Sequence, residues 1–235
     1  MKAVRFHEFG DPEVLRYEDV ERPVPGPGVA RIRVAATSFN PVDAGIRAGY
    51  LRDVFPVALP HTPGIDVAGS IDAVGEGVGD INVGDAVIGF LPMVADGAAA
   101  EYVVAAAESL TLAPSSIPLA DAAALPTVGL TAWQALFVHT EVVAGQRVLI
   151  NGAGGAVGGF AVQLAKNAGA HVIATASPRS SERVRAAGAH QIIDHTTTSV
   201  AAAVTEPVDV LLNLAPMGPR TFARWRPSSV RAGSS

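Results

Sequence analysis

Over the first 112 or so residues, apolar positions come in short runs broken by turns. Ala30-Arg31-Ile32-Arg33-Val34-Ala35 alternates with period two, the pattern of a half-exposed strand. The preceding Pro23-Val24-Pro25-Gly26-Pro27-Gly28 can only be a loop. Ile65–Ala68, Ser70–Val74 and Asp85–Phe90 are further short runs between recurrent glycines and prolines. This half is expected to be a small, partly open β-barrel. The texture changes near Pro118: Leu119–Val138 has helical spacing. Apolar runs then alternate with helical stretches. The runs are Arg147–Asn151, His171–Thr175, Gln191–Asp194 and Val208–Asn213, and the helices are Ala156–Ala168, Ser180–Ala187 and Thr197–Val204. Strand–helix–strand alternation predicts right-handed βαβ units on a parallel sheet.

The run Val148-Leu149-Ile150-Asn151 leads into Gly152-Ala153-Gly154-Gly155-Ala156-Val157-Gly158-Gly159 and then into a helix. A dinucleotide's pyrophosphate needs unpaired backbone N–H groups at a helix N-terminus and a close approach that side chains would block. Ala153-x-Gly155-x-x-Gly158 meets that need, with alanine in the first glycine position. Gly152, Gly155, Ala156, Val157 and Gly158 are therefore candidate cofactor-binding residues; a glycine turn that merely packs helix on sheet is the alternative. An NAD site usually ends its second strand with Asp or Glu. Here the residues are Thr175-Ala176-Ser177-Pro178-Arg179-Ser180-Ser181, without a carboxylate. Ser177 could donate to a 2′-phosphate and Arg179 could pair with it, unless Arg179 is a solvated surface residue, so NADPH is the expected cofactor.

Composition removes several classes. The 235 residues carry 17% charge and a net −5, against about 25% charged residues in an average domain. The chain is Ala/Gly-rich and foldable, and its acidity gives no electrostatic case for nucleic acid. It has no cysteine, hence no disulfide and no thiolate for a metal or a nucleophile. No Ser-His-Asp set or carboxylate pair stands out by spacing. The start shows no apolar signal core. Uncharged 122–140 and 148–165 are interrupted by Pro126, Gly129, Gln134 or by five glycines, so neither is expected to span a membrane, and the expected location is cytoplasmic.

The chain resembles the zinc-independent quinone oxidoreductase (zeta-crystallin-like) branch of the medium-chain dehydrogenase/reductases. The resemblance rests on Ser38-Phe39-Asn40-Pro41-Val42-Asp43, Pro63-Gly64-Ile65-Asp66-Val67-Ala68-Gly69, Val83-Gly84-Asp85-Ala86-Val87 and Ala100-Glu101-Tyr102-Val103. It continues through 123–133, Gly145–Leu149 and Gln163–Lys166. It implies an α/β protein with a β-rich domain: a GroES-like partly open barrel over 1–115 and an incomplete Rossmann doubly wound sheet over 116–215. It further implies NADPH-dependent hydride transfer to a quinone or activated alkene lodged between the domains. Asn40 is expected to contact the nicotinamide or the acceptor carbonyl, and Thr127 to line the nicotinamide pocket. Tyr50 is expected to cover the acceptor, its alternative being a loop aromatic at a core edge. The zinc ligand positions of related alcohol dehydrogenases hold Asn40 and Ile65, so no metal is expected. His61 lies nearest the expected cleft, where packing or hydrogen bonding is the commoner role of a lone histidine. No dedicated general acid is expected.

Ala156 replaces a second adjacent glycine of the family loop, and His195 stands where relatives carry tyrosine near the adenosine phosphate, with Asn213 closing the cofactor set at the end of the fourth strand. Four strands are counted where a full dinucleotide fold has six in the order 3-2-1-4-5-6, implying a C-terminal truncation. Residues 216–235 hold four arginines and no acid, a local +4 that leaves −9 in the first 215, and are expected to be a poorly ordered tail. A homodimer stays open, although the sheet edge through which family members often pair is not among the strands counted. The alternative function is a non-catalytic nucleotide-binding or remnant protein without its acceptor pocket.

Overall fold

The computed structural model of the chain describes residues 1–215. It divides into two compact units, Met1–Thr127 and the residues from Val128 onward.

The first unit is β-rich. Strands β1 (Lys2–Phe6) and β2 (Leu15–Asp19) form a two-stranded antiparallel ladder. Strands β3 (Val29–Ala36), β4 (Asp66–Val74), β5 (Ala86–Phe90), β6 (Tyr102–Ala106) and β7 (Leu110–Leu112) form an antiparallel sheet in the order β6-β3-β4-β5-β7. Its opposite edges, β6 and β7, are joined by a single turn, Ala107–Ser109. Four residue steps reach about 14 Å at most. Five flat strands would hold their edges about 19 Å apart. The sheet must therefore curl, which is the partly open barrel expected from the sequence. The two runs on either side of Gly69 are one strand. Gly69 sits where a Cβ would lie 2.3 Å from the Arg33 carbonyl, so the strand passes through it without a side chain. Inside the curl, Ile32, Val67, Ile71, Val87 and Leu91 are buried together.

Helix α1 (Pro41–Arg47) follows β3, and α2 (Leu119–Ala122) comes late in the chain. Ala122 and Ala123 bury against Ala68 and Ile88 of the sheet. Leu119 and Leu125 pack against the same cluster, and the first compact unit runs to Thr127. The helical stretch expected over 119–138 is broken into α2, α3 (Pro126–Trp133) and a π turn, Gln134–Val138. Pro126 has no N–H to continue α2 and fits the first turn of α3 instead.

The second unit is a parallel sheet of β8 (Arg147–Asn151), β9 (His171–Ala176), β10 (Gln191–Asp194) and β11 (Val210–Asn213). Its order is β10-β9-β8-β11, the 3-2-1-4 start of a dinucleotide fold. Helices α4 (Ala156–Asn167), α5 (Pro178–Ala186) and α6 (Val200–Ala203) alternate with these strands. Val148, Ile150, Val172 and Ala174 face Ala161, Val162 and Ala165 of α4 in one core. Leu149, Ile173, Ile193 and Val208 bury on the opposite face. The tail expected beyond Ala215 lies outside the described residues.

Two histidines give the fold an acid sensitivity. Burial pushes His61 below its ordinary value, with Arg5 adding to the effect and Asp96 opposing it. Burial lowers His171 as well, helped by His190, on which it stacks at 4.7 Å, and by Arg147. A histidine whose folded value is depressed takes up its proton more readily in the unfolded chain. Stability should therefore hold above about pH 6.5 and fall as pH drops through it toward the folded values. Thermal midpoints measured from pH 7.5 to 5 should decline in the wild type and decline less in His61→Gln; equal slopes would remove His61 as a source.

Candidate functional site

In the first unit, chemistry collects around a carboxylate that the sequence reading passed over. Asp66 opens β4 and is 1% exposed. Asp66 Oδ1 accepts the Thr127 amide at 2.8 Å and the Thr127 hydroxyl at 2.7 Å. Oδ2 accepts Asn40 Nδ2 at 2.9 Å and the Ser38 hydroxyl. Asn40 Nδ2 also donates to Ser38 Oγ at 2.9 Å. Thr37 Oγ1 donates to the Asp66 carbonyl at 2.7 Å. Asn40, 6% exposed, is the residue before α1, and Asp43 Oδ2 accepts its backbone N–H at 3.2 Å. The Asn40 side chain turns toward the Asp43 amide in a capping box, short of full hydrogen-bond geometry. Asp43 Oδ1 accepts the Gly64 amide at 2.9 Å. Burial pushes the Asp43 carboxyl above the usual range, opposed by the amides of Gly64 and Asn40.

Two expected residues, Asn40 and Thr127, are thus brought onto one anion. Tyr50 is not part of that cluster: its side chain is 84% exposed, so it fills no core edge either. His61 is buried with its ring edge-on to Phe6 at 5.3 Å, a packing role.

In the second unit the glycine loop rims a cavity of about 510 Å³. It is lined by Gly152, Gly154 and Gly155, by Thr175 to Ser177 at the end of β9, by Arg179, Ser180 and Arg183 of α5, and by His195. Gly152 adopts φ +84°, which turns the chain out of β8. A Cβ on Gly158 would lie 2.5 Å from the Gly152 carbonyl and 2.6 Å from Ala153 Cα, so helix and loop meet backbone to backbone. The residue before α4 is Gly155, with no side-chain cap, and the first-turn amides of Ala156, Val157 and Gly158 have no intrahelical acceptors. The lining holds two guanidinium groups and no carboxylate. This cradle fits a dinucleotide phosphate end.

A polar relay holds the loop's base. The Gly152 amide donates to Thr175 Oγ1 at 2.8 Å, and that hydroxyl donates to Asn151 Oδ1 at 2.8 Å. Asn151 Nδ2 donates to Asn213 Oδ1 at 2.8 Å. Asn213 therefore supports the loop at the strand ends and does not line the cavity. Arg183 Nη2 donates to the Gly154 carbonyl at 2.6 Å, clipping the loop to α5. Arg183 went unread in the sequence, though its i+4 spacing from Arg179 on one helix face was the available signal. The signal for Asp66 was an acid in the apolar run Ile65–Ala68, which must find donors if buried.

Residues 26–115 match the alcohol dehydrogenase GroES-like domain. The chain is 38% identical over 209 residues to the chloroplast envelope quinone oxidoreductase homolog of Arabidopsis thaliana, covering 86% of this chain and 63% of that protein. It is 40% identical over 198 residues to the quinone oxidoreductase of Lama guanicoe, covering 83% of this chain and 58% of that protein. The structure of the quinone oxidoreductase from Coxiella burnetii is similar at a TM-score of 0.81 and 37% identity, covering 90% of this chain and 67% of that one. A GroES-like barrel followed by a glycine-loop parallel sheet defines the medium-chain dehydrogenase/reductase class. This chain belongs to that family, in its quinone oxidoreductase branch. It spans about six-tenths of the length of the curated relatives it matches.

Gly158→Ala should destabilise the second unit by roughly 1–3 kcal/mol through backbone overlap. Gly159→Ala, with nothing within 4 Å of its Cβ, should be neutral or stabilising in the same helix. Denaturant unfolding of the two variants checks this pairing, and similar costs would contradict it.

Proposed function

We propose that this chain is an NADPH-dependent oxidoreductase acting on a quinone or activated alkene without zinc. The observation that carries the reading is the loop cavity, with Arg179, Arg183 and Ser177 on its wall and no carboxylate. The amides of 156–158 and the glycine backbone would hold the pyrophosphate. Arg179 and Arg183 would pair with the 2′-phosphate, and His195 would add charge when protonated. Asn40 and Thr127 would hold the nicotinamide half. Bound there, the nicotinamide supplies hydride to an electron-poor acceptor. The positions that hold zinc in related alcohol dehydrogenases carry Asn40 and Ile65, and the chain has no cysteine, which supports chemistry without that metal. Among the described residues, no helix is long and apolar enough to cross a membrane.

Titration of the purified protein by nicotinamide fluorescence should show NADPH binding about tenfold or more tighter than NADH, since hydrogen bonds to charged groups contribute about 1.5–3 kcal/mol. Arg179→Ala should weaken NADPH about tenfold and leave NADH unchanged, whereas Arg183→Ala, which also releases the loop at Gly154, should weaken both cofactors and NADPH the more. NADPH oxidation should then follow addition of 1,4-benzoquinone. Equal affinity for the two cofactors would refute the 2′-phosphate reading, and binding without turnover would leave a nucleotide-binding protein.

A further inference from the structure

Around Asp66 every hydrogen that could be donated has already been given. Both Nδ2 hydrogens of Asn40 are committed, one to Asp66 Oδ2 and one to Ser38 Oγ, each at 2.9 Å. The Ser38 hydroxyl donates to the same Oδ2, and Thr127 gives both its amide and its hydroxyl hydrogen to Oδ1. A carboxylate anion accepts and never donates, so this pattern fixes which way the Asn40 amide faces. Flipping it would set Oδ1 against Asp66 Oδ2, two acceptors with no hydrogen between them, in a site where Asp66 is 1% exposed. The capping box acts in the same sense, since Oδ1 is the atom an Asp43 N–H attracts.

We infer that Asp66 is a positioning residue that locks Asn40 and Thr127 as hydrogen-bond acceptors, so that Asn40 takes a donor from the nicotinamide half of the cofactor and does not polarise the acceptor's carbonyl. This rests on the reading above that Asn40 belongs to the nicotinamide site. It resolves the two expectations for Asn40. A quinone carbonyl has lone pairs only and needs a donor, and neither Asn40, Thr127 nor Ser38 has one left to give. A carboxamide N–H or a ribose hydroxyl is the chemistry that a locked Oδ1 accepts. Electrophilic assistance to the quinone therefore does not come from this cluster.

Asp66→Asn reverses the lock. Its oxygen must stay with the two Thr127 donors, so its amide nitrogen meets Asn40, which must turn its own oxygen inward and present N–H to the ligand. NADP⁺ affinity should fall about tenfold or more, about 1.4 kcal/mol. Affinity for 2′,5′-ADP, which lacks the nicotinamide and its ribose, should stay within about twofold. The 3-acetylpyridine analogue of NADP⁺ separates the two donors: weaker wild-type binding than NADP⁺ identifies the carboxamide, equal binding the ribose hydroxyl. Parallel loss of NADP⁺ and 2′,5′-ADP, or no loss of either, overturns the proposal.

The wild type alone supplies a second measurement that needs neither ligand nor variant. With selective ¹⁵N labelling of the asparagines at 40, 82, 151, 167 and 213, both side-chain protons of Asn40 should exchange with water at least about tenfold more slowly than those of exposed Asn82. Exchange at the Asn82 rate would overturn the lock even if Asp66→Asn failed to fold. A wild type that binds no NADP⁺ refutes the functional reading instead, and the exchange experiment still decides the lock.

Discussion

The first unit is organised around one unfavourable fact, a carboxylate taken almost wholly out of water. An uncompensated charge at that depth costs several kcal/mol, so donors must be brought to it. Asp66 draws them from the segment that leaves β3 and from the first turn of α3. Three stretches far apart in sequence are thereby held at one point. The placement of Thr127 as the last residue of the unit follows directly, because its amide and hydroxyl both complete that shell. Packing of α2 on the sheet reinforces the same closure.

The second unit solves a different problem, how to leave backbone amides unpaired without leaving the chain loose. The loop is short of side chains by design of its glycines, so its position is set from outside. Thr175 and Asn151 fix its base, Asn213 steadies Asn151, and Arg183 holds its Gly154 carbonyl. The amides at the start of α4 have no intrahelical acceptors, and among the described residues the polar groups around them are engaged with one another.

Much of this was legible in the chain. Period-two alternation located β3, and the apolar runs located β8 to β11, because a strand's burial pattern is local. The glycine loop was legible because only a sharp turn and a close approach require that spacing. The N-terminal ladder of β1 and β2 was not, since Lys2, Arg5, Arg16 and Glu18 blur its alternation and its pairing is non-local. The start of α3 at Pro126 was not placed although that proline stood out as a turn signal, because its role depends on where α2 ends. The partners of Asp66, Thr175 and Arg183 escaped for a shared reason: each lies more than twenty residues away, and of the three only Arg183 carried a local spacing signal, i+4 from Arg179.

The Asp66 shell also sets an order of events during synthesis. Its Thr127 donors lie 61 residues downstream. At about 5–20 residues per second, the ribosome leaves that carboxylate short of half its donors for roughly 3–12 s after it is made. The rest of β4 and strands β5 to β7 emerge during that interval to join β3, but the interior they enclose holds a charge that still favours water. The last part of the first unit to be translated is therefore the part that lets it shut, and the nucleotide loop begins to appear only after that point.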